Sequence, residues 1–494
     1  MPKNSAAPAR RLVVAVASIA TVAAVSLGAA PAMAADAPWS PPVTVADGAY
    51  AIEATVVAPN GTITSVIDTP TGIASVTSTD GGATWGALVM LGSGGDYAYR
   101  PYVAVTSSGL LAATWVEYTN PITDIFVATS SDQGATWSTP ISLPNVTDDV
   151  DDPVIASSSA NGFTVVWKDN YFNKVASSST DGGVTWSAPF VITEAFNSYG
   201  KASIVPTGPD ELVVIFQEFD GLEADYSIQS RVSTDGGITW GPKVVVGPAW
   251  SGTLGNGLYA IGVSPAAGTV IAAWTRGVGD FASAVFAATS TDGGETWGAP
   301  IQVFGPAYVS EFAISAVGPT TAGIVWHYYD DTLGLSYATV DVGATAASTP
   351  VSIDTNPESV LYERLPSLST LGNVRVVTWY ENHDGPQSGM RAAASCDAGA
   401  TWTPASNLAL GEDVSDSDAQ SLVSGGVFTA FWVSYDEQED ESVAFASSTD
   451  SPCLTTASLL ADTGSETAPA AGLLALVMLA LGAVLVVKRR RTTA

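Results

Sequence analysis

The sequence is poor in positive charge, histidine and cysteine. Its 494 residues include 17 Lys and Arg against 48 Asp and Glu, with two His and two Cys. Two histidines exclude a histidine-rich metal site, and two cysteines argue against structural zinc and thiol catalysis. The acidic excess argues against binding to nucleic acids or anionic membranes. No long amphipathic helical pattern lies between residues 35 and 455, which favours an all-β chain.

The N-terminus is typical of a secretory signal peptide. A basic segment with Lys3, Arg10 and Arg11 precedes an apolar run over residues 12–30, which ends at the small-residue motif Ala32-Met33-Ala34. This order predicts removal of residues 1–34 and export of the rest. The alternative is an uncleaved membrane anchor.

The C-terminus carries a second targeting pattern. The pentapeptide Leu460-Ala461-Asp462-Thr463-Gly464 lies in a linker, residues 456–467, before an apolar transmembrane segment, 468–487, and a basic cytoplasmic tail, 488–494. The pattern resembles the sorting signal of Gram-positive wall proteins, although Ala461 stands where proline is usual. The resemblance implies that sortase cleaves between Thr463 and Gly464 and links Thr463 to peptidoglycan. A permanent tail anchor is the alternative.

The part between these ends is strongly acidic. Seven of the 17 cations lie in the two ends, which leaves ten cations against 47 carboxylates in residues 35–463, a net charge of −37. Both cysteines, Cys396 and Cys453, lie in this part. An extracellular location predicts that they form a disulfide.

A short motif recurs about every fifty residues. Ser78-Thr79-Asp80-Gly81-Gly82-Ala83-Thr84-Trp85 is the first of six near-perfect copies, and worn copies occur at Asp341 and Asp450. The motif resembles the Asp-box, or bacterial neuraminidase repeat, which implies a β-propeller. Its residue types suit a structural turn, since the carboxylate can accept backbone N–H groups and glycine permits positive φ. The six structural aspartates are Asp80, Asp132, Asp181, Asp235, Asp292 and Asp397.

Four short strands accompany each repeat, with the box between the third and the fourth. This pattern predicts a single propeller over residues 35–455, with eight four-stranded blades. The last repeat lacks a fourth strand, whereas residues 38–45 are similar to the segments that follow the boxes. We therefore expect the N-terminal strand to close the last blade. Seven blades is the alternative if the copy at Asp341 is a loop.

Sialidase-like propellers bind and act on the face opposite the boxes, so the resemblance implies functional residues where loops enter strand one and leave strand two. The candidates for a ligand-binding face are Glu117, Asp152, Lys201, Glu218 and Asp330. Sialidases that share the repeat clamp a carboxylate with arginines and use a tyrosine–carboxylate nucleophile. That resemblance implies weak catalytic candidates at Arg100, Arg276, Arg364, Tyr380 and Glu381. The three arginines belong to separate blades and the net charge repels an anion, which argues against a sialidase site.

Acidic loops on the same face suggest a calcium site. Asp148, Asp149, Asp151 and Asp152 are its weak candidates, with solvated surface loops as the alternative. No other cofactor is expected.

These observations predict a protein secreted and anchored to the cell wall, whose propeller presents a glycan- or protein-binding face. The alternative is an exo-acting glycoside hydrolase of the sialidase type. Another glycosidase with paired carboxylates and a structural wall protein without a ligand remain open. Sortase and peptidoglycan are the expected partners beside the extracellular ligand, with membrane contact only through the C-terminal segment before sorting.

Overall fold

β-Strands account for all the regular structure in the residues that the structure describes. The computed structural model describes residues 39–92, 97–119, 121–144, 149–193, 200–220, 225–251, 260–277, 283–330, 332–356, 366–381, 388–410, 420–436, 441–450 and 452–453. No helix occurs in these ranges, and in particular none long and apolar enough to cross a membrane. The prediction of an all-β chain is confirmed. The signal peptide, the sorting motif with Thr463 and Gly464, and the apolar segment 468–487 lie outside the described residues.

The strands form antiparallel sheets of four, in chain order. Sheet 1 has β2 (Ala51–Val57), β3 (Ile63–Thr69), β4 (Gly72–Ser78) and β5 (Val89–Gly92). Sheet 2 has β6 (Tyr97–Val105), β7 (Leu111–Thr119), β8 (Ile122–Ser130) and β9 (Ile141–Ser142). Sheet 3 has β10 (Val150–Ser157), β11 (Phe163–Asp169), β12 (Lys174–Ser179) and β13 (Phe190–Val191). Sheet 4 has β14 (Ser203–Gly208), β15 (Glu211–Asp220), β16 (Asp225–Ser233) and β17 (Val244–Ser251).

The next two sheets share one long strand. Sheet 5 has β18 (Ala260–Val263), β19 (Val270–Gly277), β20 (Ser283–Ser290) and the first half of β21 (Ile301–Ala316). Sheet 6 has the second half of β21, β22 (Thr321–Asp330), β23 (Thr332–Asp341) and β24 (Val351–Asn356). Sheet 7 has β25 (Ser367–Leu371), β26 (Val374–Glu381), β27 (Gly389–Ser395) and β28 (Ser406–Leu410).

The last sheet combines both ends of the described chain. Sheet 8 has β29 (Gln420–Ser424), β30 (Val427–Asp436) and β31 (Glu441–Thr449), and its fourth strand is the N-terminal β1 (Val43–Asp47). Val43 pairs with Ala446, and the Ser40 amide donates to the Ser448 carbonyl. Both observations agree with the expected role of the N-terminal strand.

Hydrophobic clusters lie between consecutive sheets, so the sheets pack face to face. Each cluster combines residues of two successive sheets, and one of them joins sheet 8 to sheet 1 through Phe431 and Ile52. The second strands are apolar on both sides because both faces are covered. Six of them carry a fully buried tryptophan: Trp115, Trp167, Trp274, Trp326, Trp379 and Trp432. These features are those of a β-propeller.

The six intact boxes share one set of hydrogen bonds. In the third, Asp181 accepts the Thr185 amide at 2.9 Å, the Thr185 hydroxyl at 2.6 Å and the Ser179 hydroxyl at 2.8 Å. The Thr185 hydroxyl, the Thr185 amide and Ser179 hold the pKa of Asp181 at about 2. The other five box aspartates also have lowered pKa values, because the corresponding threonine and serine of each box donate hydrogen bonds to the carboxylate. The box carboxylates thus accept hydrogen bonds within their own turns.

Each intact box also contacts the preceding sheet. Gly183 has φ +85°, and a Cβ there would come within 2.4 Å of Thr129 in sheet 2. In the box before it, the Trp137 indole donates to the Ser75 hydroxyl of sheet 1 at 2.8 Å. Glycine is therefore required both for its backbone conformation and for close packing.

A disulfide joins the box turn of sheet 7 to the end of sheet 8. Cys396 and Cys453 are bonded with their Cα atoms 6.1 Å apart. The bond closes a sequence interval of 57 residues.

Candidate functional site

The first strands of sheets 1, 2 and 3 are bulged near their starts, on the face opposite the boxes, which we call the loop face. The strand register shifts around Glu53 in β2, around Arg100 in β6 and around Asp152 in β10. Arg100 and Asp152 have φ of 53° and 54°, which is rare for residues other than glycine. Bulges redirect side chains. Here they bring charged groups from successive sheets together.

These groups form an ion network between sheets 2 and 3. The Arg100 guanidinium lies 2.7 Å from Asp151 and contacts Asp152 directly. The Lys168 ammonium lies 2.8 Å from Asp152 and 3.7 Å from Asp151. Two cations thus face two carboxylates, and the network neutralises itself.

Two further lysines extend the network toward sheet 4. Lys201 donates to the Tyr102 hydroxyl at 2.6 Å and lies over its ring, which connects sheet 4 to sheet 2. Lys174 is buried at the start of β12 and donates to the Gly200 carbonyl. Burial lowers the pKa of the Lys174 ammonium to about 7, although the negative charge of Asp152 acts to raise it.

A tyrosine-lined pocket adjoins the network between sheets 1 and 2. It has a volume of about 640 Å³. Tyr50, Tyr97 and Tyr99 supply aromatic surface, whereas Asp68 and Glu117 supply carboxylates. We call it the tyrosine pocket. All five residues lie where chain enters strand one or leaves strand two, so the pocket opens on the loop face.

The aromatic wall of the tyrosine pocket is built by ring stacking. Tyr97 stacks on Tyr99 with centroids 5.5 Å apart and contacts Tyr118 at 5.1 Å. Tyr50 and Tyr97 are 56% and 57% exposed, so their surface is available to a ligand. The Arg100 guanidinium lies 6.0 Å from the centre of the Tyr99 ring, which connects this wall to the ion network.

The two pocket carboxyl groups differ in their surroundings. Burial, followed by the charge of Glu53, raises the pKa of Asp68 to about 7. Glu117 is buried and accepts the Trp115 indole N–H at 3.2 Å. Near neutral pH the Asp68 carboxyl group can therefore donate a hydrogen bond to a ligand, because part of it is protonated. Such a combination of apolar surface with few polar groups suits a small, hydroxyl-rich ligand.

The weak catalytic candidates are not brought together. Arg100 is in the ion network, whereas Arg276 lies in β19 of sheet 5 over the Phe286 ring. Tyr380 and Glu381 end β26 of sheet 7, where Glu381 lies 2.7 Å from Arg391. Arg364 lies outside the described residues.

The predicted ligand-face residues divide into two groups. Glu117, Asp152 and Lys201 belong to the tyrosine pocket and the ion network. Glu218 is instead paired within sheet 4, where the Lys243 ammonium lies 2.8 Å and 3.0 Å from its two carboxylate oxygens. Asp330 ends β22, and its side chain lies outside the described residues.

Cationic side chains occupy the acidic segment proposed for calcium. Asp151 and Asp152 contact Arg100 and Lys168, and Asp149 accepts the Thr123 hydroxyl at 2.9 Å. Asp148 lies outside the described residues. Within the described ranges no group of three or more His, Cys, Asp or Glu side chains could hold a metal ion.

Several site residues were not singled out from the sequence. In the sequence, Glu53, Asp68 and Lys174 look like ordinary polar residues near the ends of strands. Only their packing between sheets distinguishes them from other such residues. Tyr97 is different, because the alternation in Tyr97-Ala98-Tyr99-Arg100-Pro101 places two aromatic rings on one side of the strand. That alternation was an available signal.

No protein-family model matches the chain, and no curated protein matches it. Solved structures with partial similarity include a PL25 ulvan lyase, at 13% identity and a TM-score of 0.45, over 75% of this chain and 95% of that one. An α-L-arabinofuranosidase of family GH93 from Fusarium graminearum has 16% identity and a TM-score of 0.38, over 58% and 92%. The NanB sialidase from Streptococcus pneumoniae has 12% identity and a TM-score of 0.39, over 72% and 68%. Similarities this low carry no information about the activity of this chain.

Proposed function

We propose that this protein is a surface-displayed β-propeller that binds a glycan in the tyrosine pocket on its loop face. The observation that carries the proposal is the combination of Tyr50, Tyr97 and Tyr99 with Asp68 and Glu117 in one cavity. Aromatic rings cover the apolar faces of sugars, and carboxyl groups exchange hydrogen bonds with hydroxyls. The net charge of −37 over residues 35–463 favours a neutral glycan over an anionic one.

A glycan array probed with the full-length chain tests this proposal. We expect retention on a neutral glycan, and Tyr97→Ala should weaken it by about tenfold, as loss of a stacking platform and hot-spot residue predicts. Val184→Ala is the control, because Val184 is 75% exposed at a box on the opposite face. A Tyr97→Ala protein that binds like the wild type, or a chain that retains no glycan, would contradict the pocket assignment.

We further propose that the propeller is a closed ring of eight blades. Support comes from the pairing of β1 with β31 and from the clusters that join each sheet to the next, including sheet 8 to sheet 1. Closure would cover both faces of every sheet and leave only short strand edges. An experimental density map of the full-length chain tests the count directly, and seven blades would overturn it.

Surface display is proposed from the two ends of the sequence. Residues 1–34 would direct export, and sortase would join Thr463 to peptidoglycan, so that the propeller is held at the cell wall. In cells, Thr463→Ala should move the protein from the wall fraction to the membrane or the medium. An unchanged wall fraction would remove support for sortase anchoring.

A second candidate function is glycoside hydrolysis in the same pocket. The observation that favours it is Asp68, whose pKa of about 7 beside Glu53 suits a general acid. Hydrolysis of a fluorogenic glycoside that is abolished by Asp68→Asn, with binding retained, would establish it. A sialidase is less well supported, since Arg100 already contacts Asp151 and Asp152. Release of sialic acid that depends on Arg100 or Arg364 would reverse that judgement.

A further inference from the structure

Exposed aromatic side chains are concentrated on the loop face. Among the described residues, every exposed aromatic side chain lies where the chain enters strand one or leaves strand two of a sheet. Five of them lie on four consecutive sheets: Tyr435 on sheet 8, Tyr50 on sheet 1, Tyr97 on sheet 2, and Tyr171 with Phe172 on sheet 3. We call these five residues the aromatic arc. Tyr308 and Tyr329 lie apart from it, on sheet 6.

The tyrosine pocket lies in the middle of the aromatic arc. Tyr50 and Tyr97 belong to both, Tyr435 lies on the sheet before them, and Tyr171 and Phe172 lie on the sheet after them. The sheets are neighbours in space, because hydrophobic clusters join sheet 8 to sheet 1, sheet 1 to sheet 2 and sheet 2 to sheet 3. The aromatic surface therefore continues beyond the pocket on both sides.

The sheet 3 end of the arc is held in a strained turn. Phe172 has φ +59°, an unfavourable conformation for a bulky side chain. The Asp169 carboxylate fixes the turn by accepting the Tyr171 amide at 2.9 Å and the Asn173 amide at 2.8 Å. The result is that Tyr171 and Phe172 stay 48% and 40% exposed. Strain that keeps two aromatic rings in solvent points to a binding role.

The spacing and charge of the arc indicate what it binds. Packed sheets lie about 10 Å apart, so an arc that runs over four sheets, from Tyr435 on sheet 8 to Phe172 on sheet 3, is longer than one sugar. Two cations beside the arc, Arg100 near Tyr99 and Lys168 over the Phe172 ring, are neutralised by Asp151 and Asp152 and so offer no free charge to an anion. A neutral polymer with a regular series of apolar faces fits both properties.

We propose that the aromatic arc binds an extended chain of neutral sugars, with the tyrosine pocket as its central subsite. This inference rests on the proposed function and makes the ligand a polysaccharide instead of a single terminal sugar. Several weak stacking contacts on one chain add through effective concentration, so affinity grows with chain length.

Affinity measurements on the full-length chain test the inference. The probes are arabinan, xylan, mannan and mixed-linkage β-glucan, each beside its own disaccharide, with polygalacturonate as the anionic polymer. For the neutral polymer that binds, we expect an affinity at least about tenfold above that of its disaccharide. The double variant Tyr171→Ala/Phe172→Ala should lose most of that difference and leave disaccharide binding unchanged.

The matched control is the double variant Tyr308→Ala/Tyr329→Ala on sheet 6. Its side chains are of the same kind and on the same face, 39% and 44% exposed, but lie outside the arc. It should bind the polymer like the wild type. Equal affinity for polymer and disaccharide, tighter binding of polygalacturonate, or equal losses in both double variants would overturn the arc while leaving the pocket in place. Failure of every probe to bind would overturn the proposed function and the arc together.

Discussion

Arg100 and Asp152 are bulged residues in the first strands of the neighbouring sheets 2 and 3. Both have a left-handed backbone conformation, and their side chains form an ion pair. Burial alone would raise the pKa of Asp152, but the hydrogen bond and charge of Lys168 and the charge of Arg100 lower it overall. The native pKa is therefore below the unfolded one. The stabilisation it provides is present above about pH 4 and is lost as the pH falls through the native pKa.

We expect Asp152→Asn to reduce the free energy of unfolding at pH 7 by about 1.5–3 kcal/mol, the range for hydrogen bonds to charged groups. Asparagine tolerates the left-handed conformation, so the backbone is not the cause. Urea titrations at pH 7 and in acid would show a smaller loss on acidification in the variant than in the wild type. Glu295→Gln, at an exposed box residue, is the control. A variant with the wild-type pH dependence would rule out this ion pair as the source.

The box aspartates should contribute to stability and leave ligand binding unaffected. Asp292 accepts the Thr296 amide at 2.9 Å and the Ser290 hydroxyl at 2.7 Å. Asp292→Ala should cost about 0.5–1.5 kcal/mol for each hydrogen bond lost. Asp341 in the worn repeat, which accepts the Thr321 hydroxyl, is the matched site, and Asp341→Ala should cost less. Thermal unfolding with glycan retention as a second readout checks both; lost retention at unchanged stability would contradict a purely structural role.

Removing the disulfide should destabilise the chain without changing its fold. For a closed interval of 57 residues, the chain-entropy model gives about 4 kcal/mol. The double variant Cys396→Ser/Cys453→Ser should unfold at correspondingly lower denaturant, and the unreduced, denatured wild type should have no titratable thiol. Two free thiols in the wild type would refute the prediction.

Closure by the N-terminal segment predicts an unusual sensitivity at Trp39. Its side chain is 7% exposed and packs in a cluster with Met390 of sheet 7 and Phe428 of sheet 8. Trp39→Ala should cost about 3–5 kcal/mol, as for other buried large aromatic residues. Tyr50→Ala, eleven residues later but 56% exposed, is the control and should cost far less. Equal unfolding midpoints for the two variants would show that the segment does not support closure.

The repeated box explains why the architecture was predictable from the sequence. Each copy marks the turn between a third and a fourth strand, so Asp181 locates β12 and β13 together. Glu117 and Lys201 were predicted because the chain enters strand one and leaves strand two on the face opposite the boxes. Neither inference needs knowledge of how one sheet packs on the next.

The pocket itself was not predictable, because it is formed across a sheet boundary. Asp68 acquires its raised pKa from burial and from Glu53, and neither is visible in a strand that ends Ile67-Asp68-Thr69. Lys174 is a stronger case, since lysine is almost never fully buried without a partner. Its environment depends on Gly200, which belongs to the segment before sheet 4.

The shared sheet at the two ends of the chain imposes an order on biosynthesis. The Ser447 hydroxyl donates to the Ser40 carbonyl, 407 residues away, so sheet 8 is incomplete until nearly the whole chain has been released. Until then β31 offers an unpaired edge that fits β1. A neighbouring copy carries the same β1, so crowded export would favour strand exchange between molecules. A chain that begins after Asp47 would lack β1, would keep that edge permanently and should accept the missing strand when it is supplied as a separate peptide.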